Sequence, residues 1–360
     1  MPFPQYNAMS SAKRRLSARL GGLAALLLAG LFAPAPAVAT EALPAFTDDP
    51  AVVDFAGDLE LRHGFDAVDL LGQFAQVKPN PRVLQLIAPP DSPQQRSWER
   101  YRQRFVNERR IANGIRFWQD HPTALVRARV LYGVPEEIIV AIIGVETEYG
   151  RNTGGFGVFE ALATLAFRYP RRSDYFRGEL EQFLLLAREN RFDPLAVKGS
   201  YAGAIGIPQF MPGSQRRFAI DFDGDGRVDL SRSVDDAIGS VARFLEQHGW
   251  QSGQPIAAPA RLAEAPEAAL IEAGIRPSLT VESLQRQGIA AVADPQALAA
   301  LIDLVSPGKA TEYWLGFENF YVITRYNRSS FYAMSVFQLA EAIRQRRSAD
   351  EAAGDDEQVR

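Results

Sequence analysis

From about residue 44 to 130, apolar positions recur at helical spacing among charged ones, and the runs from Asp48 to Arg62 and from Pro93 to Trp118 are the clearest. Pro79-Asn80-Pro81 and Pro89-Pro90 interrupt them, because proline removes a helical donor and clashes with the preceding turn. Trp98, Tyr101, Phe105, Ile111, Ile115 and Phe117 fall at helical intervals and are read as core-facing anchors. The spacing therefore predicts an N-terminal helical region over 44–130. A denser region with unusual local sequence follows over 131–250. Residues 251–310 change to short apolar runs between turn signals, as a small strand-bearing insertion would. Over 311–345 an aromatic run from Tyr313 to Tyr332 leads into a helix ending near Arg344; its Val322-Ile-Thr324 also suits a strand or plain core. The charged stretch 346–360 reads as a disordered tail. The pattern as a whole is mainly α, of α+β class.

At the N-terminus, Lys13, Arg14, Arg15 and Arg19 precede an unbroken apolar run from Gly21 to Phe32 and then small residues ending at Ala39. That three-part order is a secretory signal, with cleavage expected after Ala39 or Ala37, and it is short for a membrane span. Losing residues 1–39 removes four positive charges and no negative ones, so the net charge of −4 becomes −8. A chain so acidic is a poor match to a nucleic-acid binder. The absence of cysteine excludes disulfide scaffolds, thiol catalysis and cysteine-ligated metal sites, and the three histidines have no metal-ligand spacing. Leu28-Ala-Gly-Leu31 resembles a lipoprotein signal without its cysteine, so no lipid anchor is expected; the reading is a soluble protein of the periplasm after cleavage.

Chemistry concentrates in two places. In residues 133–150, Ile138 to Val145 is apolar on every side, and Glu146 continues the Ile139–Ile142/Ile143 stripe toward the interior. An unpaired carboxyl group there resists ionisation, so its pKa rises, which suits a general acid working near neutral pH. A structural carboxylate closing the helix fits the pattern equally well. Glu148, two residues on, points elsewhere and reads as a supporting group. No second carboxylate appears in a partner motif such as paired-carboxylate glycosidases require, although Glu160 and Asp193 stay open.

Further on, residues 199–214 mix glycines with Ser200, Tyr201, Gln209, Phe210 and Met211. Ser200 and Gln209 can donate to sugar hydroxyls and Tyr201 can line a wall, while a tightly packed helix pair is the alternative. Asp221-Phe-Asp-Gly-Asp-Gly-Arg-Val-Asp-Leu230 places Asp221, Asp223 and Asp225 at alternating loop positions, Gly226 at the sharp turn and the Arg227 carbonyl at position seven, as in an EF-hand. Position twelve is Arg232 where an EF-hand has glutamate; Asp235, or Asp236, can close a longer loop.

Taken together, 134–150 with Val145-Glu146-Thr147, 161–191 with Ala166-Phe-Arg-Tyr-Pro-Arg171, 199–214, 221–230 and Asn319-Phe-Tyr-Val-Ile-Thr-Arg-Tyr-Asn327 resemble the exported lytic murein transglycosylases of the B type. The resemblance runs from Phe46 to Arg344. It implies a lysozyme-like helical catalytic core over 131–250, an additional helical domain and a small β domain beside a groove for peptidoglycan glycan strands, with other cell-wall enzymes as candidate partners. It implies Glu146 as acid and then base, cleaving the β-1,4 bond between N-acetylmuramic acid and N-acetylglucosamine without water and leaving 1,6-anhydromuramoyl ends. Ser200, Gln209, Tyr326, Asn327 and Tyr332 carry over as substrate-binding residues, with Tyr201 added from its place in the motif. No organic cofactor is implied. A structural Ca²⁺ is, in the loop 221–235, on Asp221, Asp223, Asp225, the Arg227 carbonyl and Asp235. A hydrolytic muramidase and a non-catalytic peptidoglycan-binding scaffold are the rival readings.

Overall fold

The computed structural model describes residues 43–88 and 97–358, and the side chains to residue 352; the proposed signal over 1–39 lies outside them. Three helices open the chain: α1 (Pro50–His63), α2 (Ala67–Ala75) and α3 (Pro81–Ile87). Each starts where the side chain of the preceding residue, Asp49, Asp66 and Asn80 respectively, accepts an orphan backbone N–H of the first turn. Next come α4 (Trp98–Phe105), α5 (Glu108–Asp120), α6 (Pro122–Tyr132) and α7 (Glu136–Thr147). The middle of the chain holds β1 (Phe156–Gly157), α8 (Val158–Arg168), α9 (Ser173–Asn190), β2 (Lys198–Gly199), α10 (Pro212–Phe218) and α11 (Val234–Gln247). A sheet-bearing segment follows, with β3 (Ala257–Leu262), α12 (Ala268–Glu272), β4 (Leu279–Thr280), α13 (Val281–Arg286), β5 (Ile289–Ala290), β6 (Leu298–Leu304) and β7 (Glu312–Gly316). Two helices close the fold, α14 (Glu318–Tyr326) and α15 (Ser330–Gln358).

Buried apolar side chains gather into three cores. The largest surrounds α7 and draws on α4, α5, α6, α11, α14 and α15. The second joins α1–α3 to α8 and α9, so the stretch 44–130 contributes to two cores and not to one. The third lies against the five-stranded antiparallel sheet, ordered β4-β6-β7-β3-β5. β6 connects two of them by simple strand alternation: Ala300, Ile302 and Leu304 face the α7 core, while Ala299 and Leu301 face the sheet's own core.

Two expectations change. The aromatic run is divided between β7 and α14, and Val322, Ile323 and Thr324 are buried on a helix and not on a strand, because α14 packs its apolar side against α11 and α15. The tail expected to be disordered from residue 346 is helical as far as Gln358, and Arg346–Asp350 and Arg347–Glu351 pairs at i,i+4 spacing support it.

Close backbone approach sets where α7 lies. The Tyr149 hydroxyl sits between Gly114 of α5 and Gly144 of α7, and a Cβ at either glycine would stand 2.6 Å from it. It donates to the Arg110 carbonyl at 2.8 Å, so the ring cannot withdraw without losing that bond. Replacing Gly144 by alanine is therefore expected to destabilise the fold by about 1–3 kcal/mol through overpacking, read as a lowered thermal midpoint against wild type.

Candidate active site

Residues 138–145 are buried on all faces of α7, as their uniform apolarity requires, and Glu146 follows at the point where the helix meets solvent. The helix ends at Thr147. Glu148, Tyr149 and Gly150 take left-handed backbone angles in succession, with φ of 50°, 65° and 81°. For Glu148 and Tyr149 this costs on the order of 1–2 kcal/mol each, so tertiary contacts must hold the turn. Arg110, itself buried, donates to the Gly144 carbonyl and to Glu148 Oε1 at 2.9 Å, and Arg109 donates to the same oxygen at 2.9 Å. Two guanidinium groups thus close the negative end of α7 and fix the residues after Glu146. Thr147 completes the closure by donating to the Ile207 carbonyl at 2.8 Å, which ties α7 to the glycine-rich loop.

Glu146 meets a wall of tyrosines. Tyr332, 2% exposed at the start of α15, donates its hydroxyl to Glu146 Oε1 at 2.6 Å. Tyr326 lies nearly parallel to Tyr332, with centroids 6.4 Å apart, and donates to the Pro208 carbonyl at 2.6 Å. Burial raises the Glu146 pKa to about 7; the Tyr332 hydrogen bond, which favours the ionised form, opposes the rise without cancelling it. Among the described residues no cation pairs with this carboxyl group, and no other carboxylate contributes to its shift. Glu160 accepts from Asn80 at 2.8 Å and Asp193 from the Leu195 amide at 2.8 Å; both are engaged in local structure.

The glycine-rich loop is folded on itself and not as a helix pair. Gly206 has a positive φ and packs against the Leu230 carbonyl, a contact a Cβ would forbid. Ser200 Oγ accepts from the amides of Ala204 and Ala202, at 3.0 and 3.3 Å, so its proton is left to donate. Gln209 behaves differently from the sequence reading: its Nε2 donates to the Thr153 and Gly206 carbonyls at 3.0 and 2.9 Å, which uses the amide protons and leaves Oε1 to accept. Tyr201 is partly buried and packs edge-on to Phe156 beside the second core. Asn327 is exposed and lines a cavity of about 750 Å³ with Tyr101, Arg104, Arg328 and Phe331.

Tyr101 is the site residue that sequence reasoning missed. Burial, and then the nearby Glu146 charge, raise its phenol to about 12, which places it in the electrostatic surroundings of Glu146. Its helical spacing matched that of Trp98, which is fully buried, and spacing alone could not separate a core tyrosine from one at a groove.

In the aspartate loop, Asp221 accepts from the amides of Gly224, Asp225 and Gly226, and Gly224 and Gly226 have φ of 82° and 85°. Carboxylate oxygens of Asp221, Asp223 and Asp236 lie within 4.8 Å of one another, whereas Asp225 and Asp235 stand outside that group. Asp236 is buried and already accepts three amides, from Phe222, Asp223 and Asp229. It organises the loop from below. The exposed acids are a hard-oxygen donor set suited to a divalent cation such as Ca²⁺.

A family model described as the transglycosylase SLT domain matches residues 47–341. The membrane-bound lytic murein transglycosylase B of Escherichia coli (strain K12) is 42% identical over 313 residues, which is 83% of this chain and 84% of that protein. The crystal structure of the soluble lytic transglycosylase SltB1 from Pseudomonas aeruginosa superposes with a TM-score of 0.77 at 44% identity, covering 83% of this chain and all of that one. The structure of the Escherichia coli lytic transglycosylase Slt35 in complex with calcium superposes with a TM-score of 0.76 at 41% identity, over 84% and 95% of the two chains. With a half-buried glutamate that no described cation pairs, at the end of an apolar helix, and likeness along most of its length, this chain belongs to the transglycosylase SLT-domain family, the lytic transglycosylases of peptidoglycan.

Proposed function

We propose that this enzyme cleaves the β-1,4 bond between N-acetylmuramic acid and N-acetylglucosamine through Glu146 alone. The observation that carries the reading is a carboxyl group at the end of a buried apolar helix, held by the Tyr332 hydroxyl at 2.6 Å, whose proton burial retains and on which no second carboxylate among the described residues bears. The neutral acid gives its proton to the glycosidic oxygen as the C1–O4 bond breaks. The resulting carboxylate then takes the proton of the muramoyl C6 hydroxyl while that oxygen bonds to C1, which returns Glu146 to its acid form and consumes no water. The substrate's own N-acetyl group assists at C1, in the place where paired-carboxylate enzymes use a second protein carboxylate.

Tyr332 holds the carboxyl group in position, and Tyr326 and Tyr101 exclude water around it. Ser200 as donor, and Gln209 Oε1 and Asn327 as polar partners, hold the sugars. The Ca²⁺ ligands are Asp221, Asp223, Asp225, the Arg227 carbonyl and Asp235, with Asp236, whose oxygens lie within 4.8 Å of those of Asp221 and Asp223, buried beneath them and holding three amides of the loop. The ion when bound screens the mutual repulsion of these carboxylates and has a structural part. No described helix is long and apolar enough to cross a membrane. With the signal over 1–39 and no cysteine to lipidate, the working compartment is the periplasm.

Mass spectrometry of digested peptidoglycan is expected to show 1,6-anhydromuramoyl ends; reducing ends in their place would establish a muramidase. Glu146→Gln should lower turnover by at least about 10³-fold while strands still bind in sedimentation assays, and wild-type activity in that variant would refute the assignment. A raised pKa means the folded chain binds the Glu146 proton more tightly than the unfolded chain, whose ordinary value is 4.5. Wild type therefore loses stability as pH rises from 4.5 to about 7, and Glu146→Gln should melt higher than wild type above pH 7 with the gap closing below 4.5.

Because the acid must be protonated, kcat/KM should fall as pH rises through about 7. Tyr332→Phe removes the donor that favours the carboxylate, so that limb of the pH–rate profile should move to higher pH; an unmoved limb would dissociate Tyr332 from Glu146. Chelation of Ca²⁺ should lower the thermal midpoint more than it lowers turnover at 25 °C, and identical melting curves with and without the ion would count against a bound cation.

A further inference from the structure

Phe222 stands between two of the aspartates proposed as ligands, and its ring is fixed on two sides. On one side a Cβ at Gly239 of α11 would come within 2.3 Å of the ring. On the other lies Arg127 of α6, its guanidinium carbon 3.7 Å from the ring centroid. The Phe222 amide donates to Asp236 at 2.7 Å, so the backbone is tied as well. Arg127 thus meets the aspartate loop through a close stacking contact, and its charge acts on the neighbouring Asp223.

Helix packing leaves that charge unexplained. Arg129, two residues on, pairs with Glu136 at 2.7 Å, whereas among the described residues Arg127 forms no ion pair. The loop has a use for it. Carboxylate oxygens of Asp221, Asp223 and Asp236 lie within 4.8 Å of one another, and like charges so close repel. Backbone amides satisfy these oxygens as hydrogen-bond acceptors but bring no net charge. A guanidinium does bring one. Because Arg127 lies on the Phe222 ring and not in contact with the oxygens, it acts through space and takes no ligand position.

We infer that Arg127 is a built-in counter-cation of the aspartate loop: it steadies the carboxylates when no ion is bound and, by repelling a divalent cation, weakens the binding of Ca²⁺. The inference rests on the calcium reading of that loop and adds to it a residue outside the donor set. A guanidinium stays charged at any working pH, so the compensation is permanent. The loop therefore keeps its fold as calcium comes and goes, and the ion adds less stability than it would to an uncompensated cluster. Packing alone has a different signature. An arginine that only covered Phe222 would stabilise the chain equally with and without the ion.

The test titrates CaCl₂ into the chelator-stripped mature chain by isothermal calorimetry and records thermal midpoints with and without the ion. Arg127→Gln should bind calcium about threefold to tenfold more tightly than wild type at low salt, and the difference should shrink as salt rises. In chelator the same variant should melt about 1–2 °C below wild type, and that gap should close as calcium is added. Arg127→Lys keeps the charge without the planar stack, so its calcium affinity should stay within about twofold of wild type. An unchanged or weaker affinity in Arg127→Gln, a melting gap that calcium leaves as it was, or a lysine variant that binds like the glutamine one would overturn the inference. Wild type that binds no calcium would refute the ion reading itself and this inference with it. That result is told apart because it appears before any variant is compared.

Discussion

Desolvation of a single carboxylic acid is the constraint on which the chemistry proposed for this molecule depends. Glu146 stands at the end of a helix whose preceding eight residues are all buried, and among the described residues no arginine or lysine compensates its charge. Desolvation holds its proton to near neutrality, and the one hydrogen bond from Tyr332 limits how far that goes. A cation in place of Tyr332 would return the group to the ordinary carboxylate range and remove its acid form at neutral pH. A neutral phenol orients the carboxyl group at 2.6 Å without doing so.

A reactive group at a helix end is only as well placed as that end, and the strain after Glu146 shows how it is secured. Glu148 and Tyr149 adopt left-handed angles that neither residue prefers. Arg109 and Arg110 hold Glu148, the Arg110 carbonyl holds the Tyr149 hydroxyl, and the Ile207 carbonyl holds Thr147. The support reaches Glu146 from α5 and from the glycine-rich loop, two segments far apart in sequence. The α14–α15 junction adds Tyr326 and Tyr332. Four regions therefore converge on one carboxyl group.

The aspartate loop is linked to the same framework. Asp236 receives amides from both ends of the aspartate loop while belonging to α11, and α11 packs against α6 and α7. Order in the loop is thereby passed to the helix carrying Glu146. This is the physical basis for the proposal that a cation bound there has a structural part.

By itself the sequence determined what local chemistry determines. The uniform apolarity of Ile138 to Val145 made α7 a buried helix, the acid among apolar neighbours marked Glu146, and alternating aspartates with glycines marked the turn at 221–226. Long, ordered motifs carried the likeness to the family. Tertiary structure decided what depends on residues distant in the chain: that Tyr101 faces the groove while Trp98 at the same helical spacing is core, that Gln209 spends its protons on backbone carbonyls, and that Asp236 and not Asp235 is drawn inward. Side-chain direction on a helix follows from period, but what lies opposite that direction follows from packing. A hydrogen-bond donor's availability depends likewise on partners that approach it only when the chain is folded.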